Sequence, residues 1–497
     1  MNKFLRVRSA AALAVIVSLG WPALAESDEN VSRLEALLEA QQARIEQLER
    51  QVAMQQSGNV DQQRIELMRQ QIREVLSERE FRESLMPSMM QAGYDKGFYI
   101  KSSDENFSLK INAYAQFRWT HYNTRTENRY LNPGSRRGDR TGFDLQRLRL
   151  IFSGNMWSKD LTYHVQLRQE APGQYNTEVH WAYINYRFAD EFQIRAGVFK
   201  GASTRSQLMA EWGFQFVDRP VTDAVFGFAN VLGVRFWGQL FDKKLEYFLD
   251  VVNALNSPAN RTITTDPREH DNNPAILFRL VWHALGDDPK EWLFEGDVNM
   301  NESPQLDFGF SYAVNDDDGD RFTTRIPFPR NNRFRAGGFG LTSTNGLKLH
   351  QFTFDTAFKY MGFSAMGEYH IRIVDPIRGS GLPLAPWVLL TNQRDTTVQH
   401  GAYVQVGYFL PIPSLENKLE AVARVGGIST LANGHEGTWE YAAGLNYYLN
   451  GADAGHRTKL QFDVTKVSEV PISNSYSSLA NVNDDALIFR VQLQVMF

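Results

Sequence analysis

The sequence predicts an all-β transmembrane antiparallel barrel of about 16 strands, with 16–18 allowed, preceded by a short N-terminal α-helical coiled coil. Three observations predict it. The last residues alternate with period two, placing Leu487, Phe489, Val491, Leu493, Val495 and Phe497 on one side and Ile488, Arg490, Gln492, Gln494 and Met496 on the other. One face of such a strand is apolar and the other mainly polar. Left at a soluble sheet edge it invites pairing with other chains, whereas lipid and closure onto a first strand cover both face and edge. The same alternation recurs from residue 107 onward. Beyond the first residues, no apolar run reaches the roughly 18 residues of a spanning helix, so any crossing falls to strands.

The elements follow in order. Lys3, Arg6 and Arg8 precede an apolar run over 10–19 and Ala23-Leu24-Ala25. This pattern is that of a secretory signal peptide, residues 1–25, with the mature chain beginning at Glu26. Within 26–86, Val31, Leu34, Leu38, Ile45, Leu48 and Val52 recur at spacings of three and four, with Gln41 filling one core position. That heptad stripe predicts a coiled coil interrupted at Ser57-Gly58-Asn59. A short isolated helix is marginal in water, so these six residues are expected to pair with copies of themselves, giving a homo-oligomer. Residues 87–106 read as a linker and 107–497 as the barrel.

In the first strand Leu109, Ile111, Ala113, Ala115, Phe117 and Trp119 share one face, with Lys110, Asn112, Tyr114, Gln116, Arg118 and Thr120 on the other. In the next, Leu148, Leu150 and Phe152 face one way and Arg147, Arg149 and Ile151 the other. Further alternating segments start near Leu161, Val179, Phe192, Leu245, Ala275, Trp292, Leu306, Leu349, Phe363, Ala402, Leu419, Thr438 and Lys459. Connections at 157–160, 189–191 and 450–456 are short enough for turns, and those at 125–140, 257–273, 316–335 and 375–397 are long and polar. Trp181, Tyr183, Tyr186, Phe188, Tyr441, Tyr447 and Tyr448 sit at strand ends, where interfacial girdles form. Alternation aims Lys110, Arg118, Arg147, Arg149, Arg168 and Arg195 at the interior. The irregular stretch 200–228, with Lys200, Arg205 and Arg219, reads as a loop folded into the barrel.

Several classes lack support. A net charge of −5 argues against a nucleic-acid partner. With no cysteine there is neither a disulfide framework nor a thiolate zinc site, and the histidines show no metal-ligand spacing. No glycine-rich phosphate loop or nucleophile elbow is present, so no cofactor or catalytic residue is expected.

The chain resembles the phosphate-selective porins O and P. The resemblance runs through Gln146-Arg147-Leu148-Arg149-Leu150-Ile151-Phe152-Ser153-Gly154, Ile194-Arg195-Ala196-Gly197-Val198-Phe199-Lys200, Asp218-Arg219-Pro220, Gly233-Val234-Arg235-Phe236-Trp237-Gly238, Val251-Val252-Asn253-Ala254 and Phe278-Arg279-Leu280. Where that family usually places a proline after its phenylalanine-lysine pair, this chain has Gly201-Ala202-Ser203. The resemblance implies a water-filled outer-membrane channel of a Gram-negative bacterium, its helix in the periplasm, passing small hydrophilic or anionic solutes such as phosphate. It also implies an assembly role for Phe497. Lipid, lipopolysaccharide and other copies of the chain, as a trimer, are the expected partners. Interior guanidinium and ammonium groups would replace part of an anion's lost hydration, which makes Lys110, Arg118, Arg147, Arg149, Arg168, Arg195, Lys200, Arg205 and Arg219 the candidate pore lining. Other readings are an envelope tether with a barrel anchor and a barrel phospholipase.

Overall fold

The computed structural model describes residues 90–124, 139–170, 177–228, 230–253, 255, 273–286, 291–317, 325–326, 341–342, 347–376, 397–415, 417–430, 437–468 and 485–497. The signal segment and the stripe residues Val31, Leu34, Leu38, Ile45, Leu48 and Val52 lie outside the described residues, as does most of the four long connections.

The strands, in chain order, begin with β1 (Gln91–Tyr94), β2 (Phe98–Lys101), β3 (Ser108–Thr124), β4 (Arg140–Met156), β5 (Ser158–Glu170), β6 (Glu178–Ala189) and β7 (Phe192–Lys200). They continue with β8 (Asn230–Leu240), β9 (Leu245–Val252), β10 (Ala275–Leu285), β11 (Gln305–Asp317), β12 (Arg325–Ile326) and β13 (Leu341–Thr342). The last are β14 (Leu347–Tyr360), β15 (Phe363–Pro376), β16 (Thr397–Phe409), β17 (Leu419–Thr430), β18 (Thr438–Tyr448), β19 (Thr458–Ser468) and β20 (Ala486–Met496). Nine strands from β3 to β11 and seven from β14 to β20, sixteen in all, make the closed barrel of an 18-stranded antiparallel sheet to which β1 and β2 also belong. It closes where β20 pairs with β3, Ala486 opposite Thr124 and Met496 opposite Tyr114. Closure leaves no unpaired edge between first and last strand.

The 87–106 stretch is more than a linker. Its hairpin, β1 and β2, pairs with the part of β3 that extends beyond the C-terminus, Phe98 opposite Ile111 and Lys101 opposite Ser108. Phe497 exchanges backbone hydrogen bonds with Ala113 and meets the Phe98 ring edge-on at 5.9 Å. Asn112 Nδ2 donates to the carbonyls of Phe497 and Lys96. Gly97 turns the hairpin at φ 139°, and a Cβ there would lie 2.2 Å from Asn112 Nδ2, so both conformation and space require glycine.

The alternation sorts side chains as expected. Phe117, Trp282 and Val404 face outward, 50, 55 and 55% exposed, while Arg118, Val281, Tyr403 and Gln405 beside them are buried. This apolar-out, polar-in order inverts that of a soluble core and suits lipid outside. Tyr186, Phe188 and Tyr441 belong to the outward aromatic set. Trp181 and Tyr183 instead lie in register with inward-facing Gln166 and His164 on β5, and Tyr448 is fully buried against Phe409.

Short connections at one end, 157, 190–191, 241–244 and 361–362, contrast with long ones at the other. The alternation read near Trp292 is not a strand. Glu291–Leu293 is a 3-10 turn in the β10–β11 connection, which folds into the barrel from the turn end. Positive φ at Gly286 (99°) and Gly296 (72°) breaks the extended backbone a strand would need.

Candidate functional site

The β7–β8 connection, 201–229, enters the barrel from the loop end and carries two one-turn helices, α1 (Arg205–Leu208) and α2 (Asp223–Phe226). Thr204 caps α1, its side chain accepting from the Gln207 amide. A backbone outside the sheet must still find hydrogen-bond partners, and here carboxylates of the wall supply them. Asp250 on β9 accepts from the Ala202 amide at 2.8 Å, and Glu368 on β15 from the amides of Arg205 and Ser206 at 2.9 and 2.8 Å. Asp463 on β19 accepts from Val217 at 3.0 Å and Glu440 on β18 from Val221 at 2.7 Å. Apolar contacts seat the same segment. Val221, Val225 and Phe226 pack against Tyr122, Ile428 and Ile488, and Met209 and Phe214 against Ala357, Met366 and Tyr403.

The other flank of the loop is held by ion pairs. Asp218 accepts from Arg118 (3.0 Å), Arg490 (2.8 Å) and Arg147 (3.3 Å). Glu211 meets Arg149 at 3.0 Å and Arg147 at 3.5 Å, and accepts from the Tyr114 hydroxyl at 2.8 Å. Arg205 and Arg279 share Asp355, at 2.8 and 2.7 Å, and Arg219 lies 3.8 Å from Glu211 and 3.9 Å from Asp223.

Arg118, Arg147 and Arg149 therefore do point inward, but their charge is spent on holding the loop. Arg168 faces inward beside Arg149 and pairs with Glu178 at 3.1 Å. Lys110 sits near the turn end, 4.0 Å from Asp95 and away from the loop. Arg235, Arg279, Arg372, Arg424 and Arg490 also face inward, as the same alternation aims them, although they are not among the candidate lining. Arg235 pairs with Asp250 at 2.6 Å and Arg424 with Glu440 at 2.7 Å.

Arg195 and Lys200, both on β7, differ. Among the described residues neither has a carboxylate at ion-pair distance. Arg195 lies 4.3 Å from the Tyr183 ring centre and 5.3 Å from that of Trp237. Lys200 donates to the Met209 carbonyl at 2.6 Å and lies 4.8 Å from the Trp181 ring centre. The rings are fixed in turn, Trp181 Nε1 donating to Asn230 and Trp237 Nε1 to Asn185, while His164 stacks on Tyr183 at 5.2 Å. His164, Trp181, Tyr183, Arg195, Lys200 and Trp237 all retain partial exposure, as do Gln207, Leu208, Glu211, Trp212, Asp218 and Arg219 on the loop. Inward side chains of β9–β11 and β14–β20 are almost entirely covered. The interior is thus a filled barrel whose remaining open surface is concentrated along β5–β8 and one face of the loop, in place of the wide lumen that a barrel of this size would otherwise enclose.

No family model matches the chain. An uncharacterized protein of Aquifex aeolicus is 21% identical over 328 residues, 64% of this chain and 70% of that one. Among solved structures, an anion-selective porin from Comamonas acidovorans aligns with 79% of this chain and 100% of its own at 8% identity and TM-score 0.48. Salmonella typhi OmpF in complex with daunomycin covers 81% and 100% at 13% identity and TM-score 0.46. The outer membrane channel DcaP of Acinetobacter baumannii covers 81% and 100% at 11% identity and TM-score 0.45. These likenesses are too distant to assign a family or a solute to this chain.

Proposed function

We propose that the chain forms a narrow, passive outer-membrane channel with a preference for small anions, phosphate among them, whose path runs between the inserted loop and the β5–β8 wall. The observation that carries this reading is the pair Arg195 and Lys200, inward cations with no carboxylate partner among the described residues, on the wall that keeps open surface. A cation already neutralised by a carboxylate offers a passing anion little, whereas one held only by aromatic faces and a carbonyl still attracts it. The long-loop end would face outward, the turn end and residues 26–86 would lie in the periplasm, and the stripe at 31–52 would join copies into a trimer. Phe497, held by Ala113 and Asn112, would serve assembly by closing the barrel seam.

Planar-bilayer recording of the purified protein, with reversal potential under a KCl gradient and phosphate as competitor, tests this. Anion-selective current reduced by phosphate supports it, and cation-selective current would overturn it. A second reading, an envelope anchor without transport, is favoured by how completely the interior is filled. It predicts no conductance at all.

A further inference from the structure

The turn end of this barrel carries a feature that its short hairpins do not require. The other turn-end connections run from one residue at 157 to nine at 410–418 and 449–457, whereas the β10–β11 connection runs from 286 to 304 and folds inward. Trp292, Glu295, Asp297 and Val298 in it are buried. Its anchoring is specific. Asp297 accepts from the Gly362 amide of the β14–β15 turn at 2.7 Å, and the Met361 amide donates to the Asn301 carbonyl at 2.9 Å. Trp292 Nε1 donates to Glu246 at 2.9 Å.

The inner face of this insert meets the loop that enters from the opposite end. The Glu295 amide donates to the Gly213 carbonyl at 3.1 Å, and the Gln215 amide donates to the Glu295 carboxylate at 2.6 Å. Arg205 Nη1 donates to the Trp292 carbonyl at 3.1 Å. The rings of Trp212 and Phe294 pack at 4.9 Å, with His456 at 6.4 Å from each. Trp212 and Phe294 are both partly exposed. Two segments from opposite ends thus make one hydrogen-bonded body across the interior, and its exposed aromatic edge lies toward the turn end.

We propose that the β10–β11 insert is a second constriction element, and that Phe294 against Trp212 sets the size limit for solutes leaving at the turn end. This rests on the channel reading above and adds to it a division of labour. Arg195 and Lys200 select by charge, while Phe294 and Trp212 select by cross-section. Glu295 is a positioning residue, since it fixes both inserts without lining the path.

The test is single-channel recording of the full-length protein and of Phe294→Ala and Trp212→Ala, with polyethylene glycols of graded size to find the exclusion limit. Both variants should conduct more than the wild type, by about twofold for a widened constriction, and admit larger polymers, with the reversal potential unchanged. Glu295→Gln should give unsteady current without a change in selectivity. Folding is checked by the strand circular dichroism of each variant, and Phe294→Leu, which keeps an apolar side chain, serves if the alanine variant fails to fold. Wild-type conductance and exclusion limit in the folded Phe294 and Trp212 variants would overturn the inference while leaving the channel reading intact. Silence of the wild type and all variants would overturn both.

Discussion

The two halves of the barrel wall use the same alternating pattern to different ends. From β9 round through β20 to β3 and β4, inward carboxylates and arginines are consumed in seating the loop, as Glu368, Glu440 and Asp463 cap its amides and Asp218 gathers Arg118, Arg147 and Arg490. From β5 to β8 the inward residues are largely aromatic or cationic and bond to one another, leaving Arg195 and Lys200 without carboxylates among the described residues. Inward charge in a barrel is therefore not equivalent to pore charge. Whether a cation meets solute depends on what already neutralises it, and that is decided by contacts between residues far apart in sequence.

Four experiments press on this contrast. The largest effect is expected from Asp218→Ala, which withdraws one carboxylate from three guanidiniums. Breaking a buried ion-pair cluster on one side costs about 3–5 kcal/mol, so thermal unfolding in detergent should begin at a markedly lower temperature. An unchanged transition would mean that the Asp218 pairs add nothing to the apolar contacts and capped amides that seat the loop. Next is Leu148→Arg, on the outward face between Arg147 and Arg149. A charge facing lipid near the midplane costs about 2–4 kcal/mol, to be read as reduced insertion into vesicles, and undiminished insertion would reverse the assignment of faces.

Reversing Arg195 to glutamate should move the reversal potential toward cation preference while leaving the loop's contacts in place, because Arg195 is held by the Tyr183 and Trp237 rings and not by the loop. If selectivity stayed put, the open wall would not be the path. The smallest effect concerns Glu105, in the turn between β2 and β3. Hydrogen bonds from Lys101 and Lys159, at 2.6 Å each, hold its carboxyl down at about 2, against an ordinary value of 4.5. Since the folded value is the depressed one, the contribution is present above 4.5 and is lost as pH falls from there to about 2. Glu105→Gln should therefore remove a small pH-dependent part of stability over that window and leave conductance untouched. A melting curve with the same acid dependence in both proteins would dismiss the interaction.

Much of the fold was readable from residue order. Period-two alternation is a local property of a strand, so the inward phase of Arg118, Arg147 and Arg149 and the outward phase of Leu148 and Phe117 were legible without any neighbour being known. The irregular stretch 200–228 was legible too, because it breaks that period and returns to it. The Trp292 segment is ambiguous in sequence because three alternating residues look alike in a strand and in an inserted turn, and only the backbone at Gly286 and Gly296 distinguishes them.

By itself, then, the sequence determined a strand-built barrel, its inner and outer faces, the loop that enters it and the basic side chains available inside. Tertiary structure alone decided which of those charges are cancelled, that a second insert meets the loop from the other end, and that the hairpin at 91–101 completes the sheet beside Phe497. The reason is physical. Face and period are set by the pleat of one strand, whereas charge compensation and packing depend on distances between strands and loops brought together only when the barrel closes.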